Sequence, residues 1–136
     1  MHKILPCLAA LVFVTPAWAQ SAEDYLAKVF NGSSISDGES HVFVKSGQIS
    51  CATVRLRAGR HTLVFPPRSV ELSLTRGSSS GVRFACINGG GCISWTADHG
   101  VNWVFIDGFT SEVTKSISNA FAALQESCGG AEKRPF

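Results

Sequence analysis

Cysteine placement constrains the fold of this chain more than any other feature of its sequence. Four cysteines, Cys51, Cys86, Cys92 and Cys128, follow a fifth, Cys7, which lies inside an apolar N-terminal segment. Removal of that segment on export leaves an even set of four. An even cysteine set in an exported chain is typical of a disulfide framework. We therefore expect a fold that two covalent links hold together.

The N-terminal segment has the features of a secretory signal peptide. A basic start at His2-Lys3 precedes an apolar run over residues 4–14, and Ala17-Trp18-Ala19 places small residues where a signal peptidase cleaves. The run is too short to span the roughly 30 Å hydrocarbon core of a membrane. We predict a signal peptide over residues 1–19 and a single domain over residues 20–136. The expected location is periplasmic or secreted, without a stable membrane anchor.

The predicted mature chain is close to electrical neutrality. Removing 19 of the 136 residues leaves 117, and because Lys3 leaves with the signal, 11 Lys and Arg residues balance 10 Asp and Glu residues. Proteins bind nucleic acids and anionic membranes through dense positive charge. Nucleic acid is therefore not an expected partner. The length of the mature chain is sufficient for one domain.

Apolar and polar residues alternate with a period of two through the middle of the chain. Val54 and Leu56, for example, alternate with Arg55 and Arg57. Turn residues separate such segments at a spacing of about ten residues, which is typical of an antiparallel sandwich or barrel. The pattern predicts seven strands, over residues 41–45, 52–57, 60–65, 70–75, 82–87, 92–96 and 101–106.

The segments between these strands are predicted to be loops and turns. Residues 33–40 are polar and contain glycine, and Ser46-Gly47 is expected to turn the chain. In the last predicted strand, Val101, Trp103 and Phe105 share one face. Trp95 and Trp103 are both expected in the core, where tryptophan more often packs than binds a ligand.

Helical periodicity is present on both sides of the strand region. Over residues 21–30, Ser21 and Asp24 resemble a capping box, and Asn31-Gly32 supplies a stop. Near the C-terminus one apolar stripe predicts a helix that covers the open end of the strand set. The expected fold is α+β: a short N-terminal helix, a seven-stranded antiparallel sandwich or barrel, and a capping C-terminal helix. The C-terminal stripe consists of Val113, Ile117, Ala120, Phe121, Leu124 and Cys128.

The cysteine positions favour one of three possible pairings. Cys86 and Cys92 flank the Asn88-Gly89-Gly90-Gly91 turn, so a hairpin would place them on adjacent strands, and Cys51 would then pair with Cys128. Because Cys51 shares the parity of exposed residues, this pairing needs a bulge near Ser50. The other two pairings remain open. No Cys-x-x-Cys or His-x₃₋₅-His spacing is present, so neither a metal site nor a redox motif is expected.

Four basic residues form the strongest candidate binding site. Lys45, Arg55, Arg57 and Arg60 lie on one side of neighbouring predicted strands. Guanidinium groups bind carboxylates and phosphates through forked hydrogen bonds. We expect a non-enzymatic binding or interaction domain, with a protein, a peptide or a small anion as its partner and no cofactor.

An enzyme is the alternative hypothesis, although no catalytic motif is present. The Ser78-Ser79-Ser80 run lacks the Gly-x-Ser-x-Gly setting of a nucleophile. His41, like the other histidines, is interpreted more simply as a structural residue than as a catalytic one. A small hydrolase or transferase would use one of two histidines as a base beside a carboxylate. The histidines are His61 and His99, and the carboxylates are Asp98, Asp107 and Glu71.

The order of these features resembles a loose group of small exported bacterial domains. The resemblance depends on the cysteine pattern and on the stretch from Ala122-Ala123-Leu124 to Cys128-Gly129-Gly130. Those domains are generally uncharacterised, and their architecture resembles the pleckstrin-homology-like barrel. The resemblance therefore implies seven antiparallel strands capped by a C-terminal helix, and a shared fold does not assign a function.

Overall fold

Two helices and ten strands are present in the computed structural model, which describes residues 17–36, 38, 41–75, 80–96 and 100–133. The helices are α1 (Ala17–Val29) and α2 (Ser111–Ser127), and a single 3₁₀ turn covers Pro67–Ser69. The strands are β1 (Ser34–Ser36), β2 (His41–Phe43), β3 (Ser46–Ile49), β4 (Val54–Ala58), β5 (His61–Phe65), β6 (Val70–Leu74), β7 (Ser80–Cys86), β8 (Ile93–Trp95), β9 (Gly100–Val101) and β10 (Trp103–Phe109).

The strands form two separate antiparallel sheets. Sheet I has the order β2-β1-β10-β7-β6, and sheet II has the order β3-β4-β5-β8-β9. The predicted α+β class and antiparallel pairing are confirmed. The prediction of seven strands and of a possible closed barrel is wrong, because the described residues form ten strands and each sheet keeps two free edges.

Three strands account for the difference in number. β1 lies in the predicted loop over residues 33–40, β3 begins at the predicted Ser46-Gly47 turn, and the last predicted strand is divided at Asn102 into β9 and β10. β1 and β3 are polar segments with little strand propensity of their own. Both form because neighbouring strands pair with them: β1 lies between β2 and β10, and β3 pairs with β4.

Aromatic side chains join the two sheets and both helices into one core. The ring of Phe84 in β7 lies 5.0 Å from that of Phe65 in β5 and 5.0 Å from that of Phe121 in α2. Phe30, which follows α1, lies 6.2 Å from Phe84 on a third side. Offset and edge-to-face contacts at such distances are favourable for aromatic rings. The core therefore extends across every layer of the protein.

α1 extends the predicted N-terminal helix toward the start of the chain. It begins at Ala17, so Ser21 lies inside the helix and does not cap it. The predicted stop is confirmed, because Asn31 donates to the Lys28 carbonyl and Gly32 has a φ of 87°. Residues 1–16 lie outside the described residues, so the signal peptide stays a prediction.

α2 buries half of the predicted C-terminal stripe, and the other three residues of the stripe are partly buried against the core. Ile117, Phe121 and Leu124 are buried, together with Thr114, which the apolar pattern did not include. The helix packs against α1 and against β6 and β7 of sheet I. The Thr110 hydroxyl accepts the Val113 N–H at its N-terminus, a typical capping arrangement.

The predicted facing of the last strand is wrong. Val104 and Ile106 of β10 are fully buried, whereas Trp103 is 36% exposed on the outer face of sheet I. The Arg83 guanidinium lies 5.3 Å from the Trp103 ring centroid there. Asn102 interrupts the predicted strand, and in β10 beyond it the even-numbered residues face the core. Trp95 is buried, as predicted.

Both predicted disulfides are confirmed, but the geometry around them differs from the prediction. Cys51 pairs with Cys128 across a Cα–Cα distance of 5.3 Å, and Cys86 pairs with Cys92 across 5.9 Å. Cys86 ends β7 in sheet I and Cys92 precedes β8 in sheet II, so this bond links two sheets and not the strands of a hairpin. Cys51 lies in the β3–β4 turn, closed by the Ser50 N–H to the Thr53 carbonyl, and no bulge is needed.

Candidate basic site on sheet II

Strand alternation places two arginines side by side on the outer face of sheet II. Val54, Leu56 and Ala58 of β4 point into the core, so Arg55 and Arg57 between them point outward and are exposed. Side chains two residues apart on a strand share one face. The two guanidinium groups therefore project from the same side of the central part of the sheet.

Strands on both sides supply polar neighbours for these arginines. In the ladder, Ser46 of β3 lies opposite Arg57, and Gln48 lies opposite Arg55. On the other side, Thr62 of β5 also lies opposite Arg57. Together these strands form a recess of about 140 Å³, here named the basic recess. It is lined by Ser46, Gly47, Gln48, Arg55, Arg57 and Thr62.

The other two predicted basic residues lie beside the recess. Lys45 immediately precedes β3, and its backbone N–H donates to the Arg57 carbonyl at 2.7 Å. Arg60 lies in the β4–β5 turn after Gly59 and is exposed. Neither side chain lines the basic recess. The structure thus divides the predicted group of four into a pair within the recess and two flanking charges.

The arginines of the recess have no carboxylate partner among the residues that the structure places. Within the described part of the chain, no ion pair or side-chain hydrogen bond joins Arg55 or Arg57 to an acidic residue. The recess itself is lined by hydroxyl, amide and guanidinium groups and contains no Asp or Glu. The guanidinium donors are consequently available to an anion from outside the molecule.

Packing of α1 and a disulfide hold the strands of the basic recess in place. α1 packs on β3, where a side-chain carbon on Gly47 would lie 3.6 Å from the Ala27 carbonyl oxygen and 2.9 Å from Leu56 Cδ2. Glycine is therefore suited to this close approach of helix and strand. The Cys51–Cys128 bond then ties the β3–β4 turn to the end of α2.

The histidines show no catalytic arrangement in the described residues. His61 stacks on buried Trp95 with ring centroids 5.0 Å apart, and His41 is exposed on the edge strand β2. No hydrogen bond joins either imidazole to a carboxylate among the residues that the structure places. His99 and Asp98 lie outside the described residues, so the hypothesis that involves them is untested.

The three glycines Gly89, Gly90 and Gly91 lie in the loop that leads from β7 of sheet I to β8 of sheet II, and this position explains them structurally. Gly89, Gly90 and Gly91 all have positive φ values, and the Gly91 N–H donates to the Asn102 side-chain carbonyl at 2.7 Å. Asn102 was not singled out from the sequence, where it lies in an apolar run. The Asn102 side chain therefore holds the loop between β7 and β8 next to the junction of β9 and β10.

No group of three or more His, Cys, Asp and Glu residues in the described ranges is arranged to hold a metal ion. Among those same ranges, no helix has both the length and the apolar character required to cross a membrane.

Comparisons with known proteins give no family assignment. A scan of protein-family models and searches of curated proteins and of solved structures found no match to this chain.

Proposed function

We propose that the protein is a non-enzymatic binding domain that captures an anionic group in the basic recess. The observation that supports this proposal is the pair of exposed guanidinium groups, Arg55 and Arg57, which have no carboxylate partner in the described structure. Each can donate a forked pair of hydrogen bonds to a carboxylate or a phosphate. Ser46, Gln48 and Thr62 supply further donors on both sides.

A direct titration tests this function. Inorganic phosphate and succinate are added separately to the ¹⁵N-labelled protein, and the Arg Nε–Hε signals are followed by NMR. We expect saturable shifts of Arg55 and Arg57. The double variant R55Q/R57Q should weaken binding by about tenfold or more, since charge-assisted hydrogen bonds typically contribute 1.5–3 kcal/mol each.

The flanking basic residues provide a matched control. K45Q/R60Q removes the same net charge from positions beside the recess but changes no residue that lines it. We expect this variant to alter affinity by less than about twofold, because exposed charges at longer range are screened by salt. Equal weakening by the two double variants would indicate a diffuse field and not a site. Absence of saturable shifts in the unmodified protein would overturn the proposal.

We also propose that this binding takes place outside the cytoplasm, in an exported envelope protein similar to the small bacterial domains named above. The two disulfides support this location, since such bonds persist mainly in oxidising compartments. Expression of the full chain in a bacterium, followed by N-terminal sequencing, tests it. Gln20 is the expected first residue of the periplasmic protein, and an intact Met1 in a cytoplasmic protein would contradict export.

A further inference from the structure

The free edge of sheet I at β6 differs from the other strand edges of the molecule. β2 and β9, which end the two sheets, contain only three and two residues, and β3 lies under α1. β6 contains five residues and, among the described strands, pairs with β7 on one side only. No proline or lysine, the residues that commonly block an exposed edge, occurs between Val70 and Leu74.

The hydrogen-bond pattern shows which backbone groups of β6 face outward. The Ile87 N–H donates to the Ser69 carbonyl and the Thr75 N–H donates to the Gly81 carbonyl, so the odd-numbered residues of this segment bond to β7. In an antiparallel ladder the alternate residues point their N–H and C=O groups the other way. Leu72 and Leu74 therefore direct their backbone groups toward the free edge.

Gln125 of α2 independently confirms this orientation. Its side-chain amide donates to the Val70 carbonyl at 2.9 Å and to the Pro67 carbonyl at 2.9 Å. The amide thus already occupies the first outward-facing carbonyl of β6, in the manner of a partner strand. No hydrogen bond to the backbone of Leu72 from outside sheet I is found among the described residues.

A groove of about 300 Å³ runs between this free edge and α2. Ser118, Phe121, Ala122 and Gln125, which recur at helical spacing on one face of α2, form one wall. Val70 and Leu72 belong to the opposite wall, and Leu74, 43% exposed, lies farther along the same strand. We name this feature the edge groove. It combines strand backbone that has no partner strand in the described residues with a lining of apolar and polar side chains.

The charged residues of the edge groove are acidic. Among the described residues, Glu71 and Glu132 line it and no lysine or arginine does. Glu71 already has an interaction partner, so Glu132 supplies the available carboxylate. The Glu132 carboxylate accepts hydrogen bonds from the Ser69 hydroxyl and the Asn88 amide, two neutral donors, and no basic side chain in the described ranges pairs with it. The nearby Arg68 guanidinium donates to the Gly130 carbonyl. A partner with positive charge is electrostatically complementary to this groove.

We propose that the edge groove binds an extended peptide segment of a partner protein that carries a basic residue. The segment pairs with the outward-facing backbone groups of Leu72 and Leu74 as a sixth strand of sheet I. Its apolar side chains contact Leu72 and Ala122, and its basic residue lies near Glu132. Addition of a strand to a sheet edge beside a helix is a general mode of peptide recognition, in which the backbone supplies affinity and pockets supply specificity.

Amide hydrogen exchange provides a direct readout of this binding mode. The probe is a blocked seven-residue peptide that alternates threonine and valine and ends in arginine. Saturation with this peptide should slow exchange of the Leu72 and Leu74 amides by about tenfold or more, because these groups become hydrogen-bonded. The Ser73 amide, which already bonds to β7, should show a much smaller change.

Three controls separate strand addition from other binding. The same peptide with N-methyl groups on alternate amides should not bind, and replacement of its arginine by glutamate should weaken binding. In the protein, A122W fills the groove and should weaken binding by about tenfold or more, whereas N119W, on another face of α2, should have little effect.

Each contrary outcome has a defined meaning. Equal binding of the N-methylated peptide, or equal effects of the two tryptophan variants, would overturn the proposal. So would the absence of protection at millimolar peptide. Protection of Leu72 that rises with protein concentration in the absence of peptide would also overturn it, because the edge would then pair with a second copy of the chain.

Discussion

Gly81 illustrates how a single residue position controls the packing of sheet I. It lies in β7 opposite Asp107 of β10, and the Phe105 ring lies directly over it. A side-chain carbon at Gly81 would lie 2.6 Å from the Ile106 carbonyl oxygen and 2.6 Å from Phe105 Cζ. Glycine in a strand usually marks such a close approach, and an aromatic side chain across the strands often covers it.

We therefore predict that G81A destabilises the protein by about 2–3 kcal/mol, since the added methyl group must displace backbone as well as a ring. G89A is the matched control: Gly89 has no atom within 4 Å of the added carbon, and only its φ of 68° opposes the change. That conformation costs an alanine about 1 kcal/mol. Urea denaturation of both variants measures the difference, and equal losses would contradict the close packing at Gly81.

At the scale of elements, the sequence predicted those with a strong periodic pattern. β4 and β5 alternate clearly, and α2 has a continuous apolar stripe, so their type and approximate position follow from local pattern. β1 and β3 carry serine, glycine and glutamine, and they become strands only because tertiary pairing satisfies their backbone groups. No local signal distinguishes them from loops.

The same distinction between local pattern and tertiary pairing applies to the two candidate sites. The outward facing of Arg55 and Arg57 follows from the alternation of β4, so the central pair of the basic recess could be predicted. Ser46 and Gln48 could not, because they lie on β3. The edge groove was not predictable either, since it depends on which strand ends sheet I and on where α2 crosses it. Both are long-range properties of the topology.

At the scale of the whole molecule, the two sites lie on different sheets, and one of the two disulfides joins those sheets directly. Cys86–Cys92 links the end of β7 to the start of β8, which is a link from sheet I to sheet II. Cys51–Cys128 links the β3–β4 turn, next to the basic recess, to the end of the helix that forms one wall of the edge groove. The two disulfides therefore connect the strands and the helix that form the basic recess and the edge groove.

The lengths of the closed loops predict unequal contributions from these bonds. A separation of 77 residues for Cys51–Cys128 and of 6 for Cys86–Cys92 corresponds to about 4.5 and 2.4 kcal/mol in the loop-entropy treatment. C51A/C128A should therefore destabilise the protein by about 2 kcal/mol more than C86A/C92A. Urea denaturation measures both losses, and mass mapping of non-reduced peptides verifies the remaining bond in each variant. An equal loss would show that the cross-sheet bond stabilises the native sandwich beyond its effect on the unfolded chain.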